Sequence, residues 1–350
     1  MAPGSIVSLA LVSVLVFGSG PDRKQAIERG MRFIYSTACD PKNFAAYGED
    51  YLWCLYSIGS TSRDPALARM ALTMGRERAA VWRRNNPRLP ANADANDIGT
   101  WAFGAYAAQQ LGFPDPRLKE QIRRAAPLHS VEEYLNFDPM REPPPSDVPE
   151  TCRKCSHENP RGATVCGHCG AKLTMESRYG VWYDALITSY TGDVYGVTLG
   201  APYSAVLRWL PEMRPYRGPE GGANLEFYDI VYAITHVIYT LDHYSRYSLT
   251  ARDLPEELAY LRANIKEPIA AKDPETVGEF LDSLKAFGLK DDDPAVREGM
   301  DYLLANQNPD GSWGDVAYKD IYGRYHPTWT AVDGLRDYKW KRHKIELPAK

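Results

Sequence analysis

The chain has 350 residues, six cysteines and a formal net charge of −4. Charged residues make up 25% and hydrophobic residues 44%, which excludes wholesale disorder. A slightly acidic chain is not expected to bind nucleic acid through bulk charge, and six cysteines are too few for a disulfide-held scaffold. The composition therefore favours one large core or several domains of roughly 100–200 residues each.

The first 20 residues contain an uncharged apolar run from Ile6 to Phe17. Its length suits a signal peptide better than a membrane span, which needs about 20 residues. No Lys or Arg precedes the run, whereas Arg23 and Lys24 follow it, as they follow an uncleaved anchor. Residues 1–20 are interpreted as a signal peptide or an N-terminal anchor, with a misassigned start or a buried helix as alternatives. We therefore predict an exported protein that contacts membranes only through this segment.

A short punctuation pattern of glycine, loop and Asp-Pro occurs three times, at Gly59–Pro65, Gly112–Pro116 and Gly288–Pro294. A glycine just after a helix ends it, an Asp caps the next helix, and a Pro suits the first helical turn. The repetition predicts a series of helix–turn–helix units.

The same template predicts six helical pairs along the chain. The first helices are charged on one face, whereas the second helices are apolar on more than one face, which is typical of buried helices. We therefore predict an all-α fold, an (α/α)6 toroid of six hairpins whose second helices form an inner ring. The predicted first helices are 22–37, 65–84, 115–126, 202–209, 254–264 and 294–306. The predicted second helices are 48–59, 97–111, 180–195, 226–246, 275–287 and 327–339.

Four of the cysteines form two Cys-x-x-Cys pairs separated by a short loop: Cys152, Cys155, Cys166 and Cys169. This spacing predicts four thiolates around one tetrahedral Zn²⁺ ion, and the segment resembles the short zinc-ribbon module. Because so small a segment has no core of its own, the expected role of the zinc is structural. Two disulfides, a docking role and redox sensing are the alternatives.

The predicted domain organisation follows from these elements. The ribbon, residues 150–174, interrupts a toroid whose halves are residues 22–145 and 175–340. Residues 341–350 form a basic tail that solvates the chain end.

The last helical pair contains the segment Gln307–Gly314, with the sequence Gln-Asn-Pro-Asp-Gly-Ser-Trp-Gly. It looks like the QW-type motif of the terpenoid cyclase and protein prenyltransferase α/α toroids. The resemblance implies a structural clasp, in which Gln307 binds backbone groups and Trp313 covers the junction between pairs. The tract Asp291–Asp293 is interpreted as a helix N-cap rather than as the acidic motif of class II cyclases.

Two further segments resemble the prenyltransferase β subunit. The segment Tyr325–Leu335 resembles the part that contributes a zinc-binding histidine, which matches His326 here. The segment Asn224–Tyr232 resembles an Asp-x-Cys-Tyr motif, in which Asp229 matches the acid. Val231 takes the place of the cysteine, so the resemblance does not extend to that family's zinc-bound thiolate.

Each predicted inner helix begins with an acid or a histidine. Acids in a first turn complement the helix dipole, which is a purely structural explanation for any one of them. At one mouth of a toroid they would also form a ring of carboxylates suited to a cation. The residues are Glu49, Asp50, Asp97, Asp184, Asp229, Glu275, Glu279 and His326.

The candidate catalytic residues are Asp229, His236, Glu279 and His326, acting as general acid and base or as ligands of a second divalent metal. Histidine with carboxylate suits Zn²⁺, Fe²⁺, Mn²⁺ or Cu²⁺. Asp229, His236 and His243 lie on one helical stripe, but seven residues of helix span about 10 Å, so at most one of them joins one metal site. A neutral core histidine is the alternative for His236.

These observations favour a metal- or acid-dependent enzyme of the cyclase or prenyltransferase type, acting on a hydrophobic or peptide-like substrate. The alternative is a non-catalytic exported binding protein that uses the cavity and the ribbon for recognition. Aromatic side chains are expected to line the cavity: Trp101, Trp182, Tyr190, Tyr195, Tyr228, Tyr232, Tyr239 and Trp329.

Overall fold

The computed structural model describes residues 22–342, so the predicted signal peptide or anchor and most of the basic tail lie outside this range. The described part is mostly helical, which confirms the all-α prediction. Two short strands, β1 (Tyr247–Ser248) and β2 (Lys341–Arg342), pair in parallel. Within residues 22–342, the helices are too short or too polar to span a membrane.

The predicted helices occur in the predicted order, although several of their bounds differ and one of them divides in two. Two turns of 3₁₀ helix, Ala126–Leu128 and Glu220–Gly222, occur between them. The α-helices are α1 (Arg23–Cys39), α2 (Pro41–Thr61), α3 (Pro65–Asn85), α4 (Ala95–Gln110), α5 (Pro116–Ala125), α6 (Val131–Leu135), α7 (Arg178–Tyr195), α8 (Tyr203–Leu207), α9 (Leu210–Met213), α10 (Phe227–Leu241), α11 (Pro255–Asn264), α12 (Lys266–Ala270), α13 (Pro274–Ala286), α14 (Pro294–Ala305) and α15 (Tyr322–Leu335).

At the start of three helices, the Asp of the Asp-Pro pair caps the helix as predicted. The side chains of Asp64, Asp115 and Asp293 each accept a hydrogen bond from the backbone N–H two residues later, at 2.7 to 3.0 Å. Gly112 and Gly288 have φ of +98° and +84°, the left-handed conformation that ends the preceding helix. These two connections therefore have the local structure that the sequence predicts.

Gly59 does not end its helix, and that part of the prediction is wrong. Helix α2 continues to Thr61, and Gly59 lies inside it against α3. A Cβ atom at this position would come within 2.7 Å of Leu72 Cγ. The glycine therefore permits close packing of α2 on α3 rather than a turn.

Other boundaries differ because of local backbone features. Helix α2 begins at Pro41 rather than at 48, and a kink at Tyr47 (φ −138°, ψ 26°) marks the predicted start. Helix α15 begins at Tyr322 rather than at 327 and includes Pro327. As a result Asp50 and His326 are not in the first turn of their helices.

The predicted helices 202–209 and 226–246 also change. The first divides into α8 and α9. The second ends as α10 at Leu241, because the residues from His243 to Ser245 all have positive φ. His243 therefore does not share a helical stripe with Asp229 and His236.

The six helices predicted for the inner ring contact one another in a cyclic order. Helix α2 contacts α4, α4 contacts α7, α7 contacts α10, α10 contacts α13, α13 contacts α15, and α15 contacts α2. Helices α1, α3, α5 and α14 each contact one or more members of this cycle. The cavities described below lie among the helices of the cycle.

The Gln307–Gly314 segment ties the end of the chain to its beginning. The Gln307 side-chain amide donates to the carbonyl of Ala26 in α1 at 2.8 Å and to that of Gly311 at 2.9 Å. Trp313 is fully buried, and its indole N–H donates to the carbonyl of Leu303 at 2.8 Å. These contacts match the clasp that the sequence resemblance implies.

Helices α13 and α15 approach each other most closely at Gly278. A Cβ atom at Gly278 would lie 2.4 Å from the backbone carbonyl of Thr330 in α15, a distance that no real Cβ contact tolerates. Only glycine permits this approach, and the next residue is Glu279. The packing thus brings the acidic face of α13 against the helix that carries His326.

Candidate metal centre and acid–base site

The four cysteines of the ribbon converge on one point. Their sulfur atoms all lie within 4.8 Å of one another, with 3.6 Å between Cys152 and Cys169 and 3.7 Å between Cys155 and Cys166. Four sulfurs about 2.3 Å from one tetrahedral ion would be separated by roughly 3.8 Å, whereas a disulfide needs about 2.0 Å. All four are free cysteines, so the geometry fits a bound metal ion such as zinc and not two disulfides.

Backbone amides favour thiolate at this centre. Burial alone would raise the pKa of Cys166, but hydrogen bonds from the amides of Cys169 and His168 lower it to about 6. An amide of Lys154 similarly lowers the pKa of Cys152. Burial instead raises the pKa of Cys155. The backbone therefore favours the thiolate, the form that metal ligation requires, at two of the four cysteines.

The ribbon has a small core of its own. Cys152, Cys166 and Leu173 form a buried cluster separate from the main helical core. Backbone bridges Pro149–Met175 and Val165–Lys172 close the segment. Little besides the cysteines fills this core, which agrees with a structural role for the metal.

A second candidate site lies among the inner helices, around a cavity of about 180 Å³. Its wall combines carboxyl groups and aromatic rings with two histidines, His236 and His326. The carboxyl groups belong to Asp50, Glu279, Asp282 and Asp333. The rings belong to Phe103, Tyr239, Tyr244, Tyr322 and Trp329.

His326 on α15 pairs with Glu275 on α13. The distance from His326 Nδ1 to Glu275 Oε1 is 3.1 Å, an ion-pair contact rather than a well-aligned hydrogen bond. Burial alone would lower the pKa of His326, but the charge of Glu275 and this contact raise it to about 9. Burial would raise the pKa of Glu275, yet the charge of His326 lowers it. The pair is therefore an imidazolium and a carboxylate at neutral pH.

Glu279, one turn along α13 from Glu275, has the opposite character. It is 2% exposed, and burial together with the charge of Glu275 raises its pKa to about 8. The Thr235 hydroxyl donates to Glu279 Oε2 at 2.7 Å, which leaves Oε1 to hold the proton. Glu279 is thus a protonated carboxylic acid on the cavity wall at neutral pH.

His236 on α10 is held as a neutral imidazole. Its Nδ1 lies 2.8 Å from the carbonyl oxygen of Tyr232, which assigns the proton to Nδ1 and leaves Nε2 as an acceptor. Burial lowers the pKa of His236 to about 4. The cavity therefore has an uncharged acid, Glu279, and an uncharged base, His236.

Asp50 joins this cavity from α2. Its Oδ2 accepts a hydrogen bond from the Tyr325 hydroxyl at 2.8 Å. Burial raises the pKa of Asp50, while the charge of His326 and the Tyr325 hydrogen bond oppose the shift.

The four candidate catalytic residues do not all meet. His236, Glu279 and His326 line the small cavity, whereas Asp229 is a half-buried residue at the start of α10 that does not line it. Asp97 is exposed. Within residues 22–342, the cysteines form the only group of three or more potential ligands with metal-binding proximity. The second metal ion therefore stays a prediction without a preformed set of ligands.

The aromatic lining is also only partly as expected. Tyr239 and Trp329 face the small cavity. Trp182 is instead fully buried in the core, where its indole N–H donates to the carbonyl of Val206 at 3.0 Å, and Tyr228 is exposed. Helix packing decides which face of an inner helix lines the cavity. When a helix is apolar on all sides, its sequence does not indicate which face that is.

Sequence reasoning missed Asp282 and Asp333 as cavity residues. They lie near Arg336, which is 1% exposed and donates to Asp333. Glu275, Glu279 and Asp282 are spaced at i, i+4 and i+7 on α13, a stripe that identifies one helical face. From this stripe of acids in an otherwise apolar helix, Asp282 could have been predicted from the sequence to lie on the same face as Glu279.

A larger cavity of about 630 Å³ lies between the ribbon and the helical body. Helices α2, α4 and α7 contribute to its wall, and the ribbon contributes Thr151, Glu158, Asn159 and Arg161. Three residues, Asp50, Phe103 and Ile187, border both this cavity and the small one. The larger cavity therefore adjoins the acid–base site on the ribbon side.

No protein-family model matches the chain, and a comparison with curated protein sequences gives no match either.

Proposed function

We propose that the protein is an acid–base enzyme of the terpenoid cyclase and prenyltransferase type, which isomerises or cyclises a hydrophobic or peptide-like substrate in the small cavity. Glu279 would donate a proton to the substrate, and His236 would accept a proton from it. The overall change is an isomerisation, so atoms balance without a co-reactant. The observation that carries this proposal is the buried, protonated Glu279 on an aromatic cavity wall.

The paired acid and base support this chemistry. An enzyme needs a proton donor that is still protonated at the working pH and an acceptor that is still neutral, and opposed pKa shifts provide both. Here the pKa of Glu279 is raised to about 8 and that of His236 is lowered to about 4. The aromatic rings around them suit an apolar substrate or a developing positive charge.

The charge of the adjoining cavity argues against a prenyl diphosphate. Carboxylates dominate its wall, and the side chain of Arg161 is paired with Glu142 and Asp147. An anionic diphosphate would be repelled there. We therefore favour the cyclase-like form of the proposal over the transferase-like form.

We also propose that the fold is an (α/α)6 toroid and that the ribbon holds a zinc ion. The cyclic order of contacts among α2, α4, α7, α10, α13 and α15 supports an (α/α)6 toroid of six hairpins. The clasp through Gln307 and Trp313 supports kinship with the QW-type families. Zinc is the ion that four thiolates at this spacing favour, and its role in the ribbon would be structural.

The test is a product assay in D₂O with short acyclic polyprenes, beginning with monoterpenes such as myrcene, because the cavity has a volume of only about 180 Å³. Protonation by Glu279 would introduce one deuterium into an isomeric product, which mass spectrometry detects. Glu279→Gln should reduce product formation by at least about 100-fold, the usual contribution of a positioned general acid. Glu298→Gln, on the exposed face of α14, is the matched control and should keep full activity.

Two results would overturn the acid–base proposal. One is the absence of deuterated isomer from every polyprene tested. The other is full activity of the Glu279→Gln variant, which would mean that Glu279 is not the proton donor.

A second candidate is a non-catalytic exported binding protein. The ribbon's own side chains form part of the wall of the 630 Å³ cavity, and this observation favours recognition by the ribbon and toroid together. Tight binding of a ligand that leaves the protein chemically unchanged would support this alternative.

A further inference from the structure

We infer that the cavity between the ribbon and helices α2, α4 and α7 binds an extended ligand that carries two or more alkylammonium groups. Such groups occur in a polyamine and in a lysine-bearing peptide. This inference concerns binding next to the small cavity, and it holds whether or not Glu279 acts as a proton donor.

The wall of the cavity has a strong excess of negative side chains. Among the residues that the structure describes, six carboxyl groups line it, and Arg161 is the one Lys or Arg side chain on it. Arg161 is already paired with Glu142 and Asp147, neither of which lines the cavity. The six acids are Glu49, Asp50, Glu133, Glu158, Glu176 and Asp184.

Four of these acids lack a cationic partner within residues 22–342. Glu133 contacts His129, and the charge of His326 acts on Asp50. No Lys, Arg or His of the described chain forms an ion pair with Glu49, Glu158, Glu176 or Asp184. Half-buried carboxylates normally occur with a positive charge or a protonated neighbour. Glu49 and Glu176 are half-buried and have no cation of the described chain beside them. An external cation would complete the electrostatics there.

Buried polar atoms without partners point to the same cavity. Thr191 on α7 is 2% exposed, lines the cavity, and its hydroxyl has no hydrogen-bond partner within the described chain. Glu176 Oε2 is also buried without a partner. Both are oxygen acceptors that an ammonium N–H could satisfy.

The spread of the carboxylates argues for an extended cation rather than a metal ion. A hard metal ion needs three or more oxygen ligands close together. Outside the four cysteines, the described residues contain no group of three potential ligand side chains whose ligand atoms lie within 4.8 Å of one another. The acids instead lie on α2, α6, α7, the ribbon and the segment leading from it. Several separated ammonium groups match this arrangement.

The electrostatic coupling within the cavity also has a measurable consequence. Partial desolvation in the cavity, together with the charges of Glu176 and Asp229, raises the pKa of Asp184, although the residue is exposed. Burial and the charge of Glu150 likewise raise the pKa of Glu176. A bound cation would favour the ionised forms and release protons near neutral pH.

Isothermal titration calorimetry of the full chain tests the inference with three probes. Spermine supplies a polyamine, the peptide acetyl-Ala-Lys-Ala-Lys-Ala-amide supplies lysines, and tetraethylene glycol is a neutral chain. We expect one spermine or one peptide to bind per chain and tetraethylene glycol not to bind. The tighter of the two amines identifies the source of the ammonium groups. Proton release should appear as a heat that depends on the buffer.

The variant Glu176→Gln/Asp184→Asn should weaken amine binding about 100-fold, since each charge-assisted contact contributes about tenfold. The matched control is Glu298→Gln/Asp301→Asn, two exposed acids on α14, which should leave affinity unchanged. If the double variant unfolds, as far-UV circular dichroism would show, Glu158→Gln on the exposed ribbon surface serves instead and should weaken binding about tenfold.

Three results would overturn the inference. The first is that neither amine binds. The second is that the control variant weakens binding as much as the cavity variant does. The third is that MgCl₂ competes with spermine at equimolar concentration, because that would indicate a compact metal site. None of these results bears on the deuterium assay for Glu279.

Discussion

The ribbon and the Glu279 cavity are two candidate sites built in opposite ways. The ribbon gathers its four cysteines from a stretch of fewer than 20 residues, between Cys152 and Cys169, and its turns alone place the sulfurs. The cavity gathers His236, Glu279 and His326 from three helices, and helix packing alone places them. We expect the fold of the ribbon to depend on a metal ion held by its four cysteines, whereas the chemistry proposed for the cavity depends on the fold.

The two sites also treat ionisable groups differently. In the ribbon, backbone amides stabilise the charged form of Cys166. In the cavity, burial stabilises the neutral forms of Glu279 and His236. In the ribbon, hydrogen bonds within a turn set the protonation state of a side chain. In the cavity between helices, the exclusion of water sets it.

The largest expected effect separates the two regions directly. Removal of the metal with a chelator should unfold residues 150–174 and leave the helical body folded, because structural zinc contributes on the order of 10 kcal/mol to such segments. Hydrogen exchange with mass spectrometry should show lost amide protection in the ribbon alone. Cys166→Ser should have the same effect, and Cys39→Ser, an exposed cysteine outside the ribbon, should have none. Retained protection without metal would contradict a metal-dependent ribbon.

The next effect tests the packing that positions the cavity. Gly278→Ala should destabilise the protein by about 3 kcal/mol, because the new Cβ meets the Thr330 backbone, which cannot move aside. Gly99→Ala in α4 is the control, since a Cβ there has nothing within 4 Å. Urea denaturation should leave that control unchanged or slightly more stable. Equal stability of both variants would mean that α13 and α15 are not closely packed.

A smaller effect tests the protonation of Glu279. A carboxyl whose pKa is raised from 4.5 to about 8 on folding lowers stability as pH rises between these values, because the folded state then binds more protons than the unfolded state. Glu279→Gln removes this penalty, so the variant should gain about 2 kcal/mol relative to wild type between pH 6 and pH 8. Urea denaturation at both pH values measures it, with Glu298→Gln as the control. Parallel pH profiles for wild type and Glu279→Gln would show that Glu279 has an ordinary pKa.

The smallest effect concerns the attachment of the ribbon. Arg161 bonds to Asp147 and Glu142 at the segment that leads into the ribbon, but its side chain is 36% exposed. Arg161→Ala should therefore reduce local protection in the ribbon by less than about 1 kcal/mol, and 1 M salt should largely abolish the difference. Arg123→Ala, which removes an exposed pair on α5, should not change the ribbon at all. A larger loss would mean that the ribbon depends on this contact as much as on its metal.

Much of the helical framework could be predicted because its signals are local. Asp64, Asp115 and Asp293 cap their helices through bonds to the backbone two residues away, and Gly112 and Gly288 adopt the left-handed conformation that few other residues tolerate. The prediction that Gly59 ends its helix was wrong, because a glycine can also be present to permit close packing between helices. A glycine that ends a helix and a glycine that permits helix packing look the same in the sequence. Only the contact with Leu72 in the folded chain shows that Gly59 is of the second kind.

The candidate site was predictable in part. Glu279 and His326 were predicted because they lie near the starts of predicted inner helices and, for His326, because of the family resemblance. Asp229 could not be excluded, since its position relative to the cavity depends on the rotation of α10. Asp282 and Asp333 were missed because their burial comes from distant elements.

The sequence by itself determines the four-cysteine cluster, which could hold a metal ion, and those helix ends that depend on contacts within a few residues. The four cysteines reach one point whatever the rest of the chain does, because two tight turns suffice. The acid–base character of the cavity depends on the tertiary structure. Glu279 becomes a neutral acid and His236 a neutral base only when helices far apart in the chain remove water from around them.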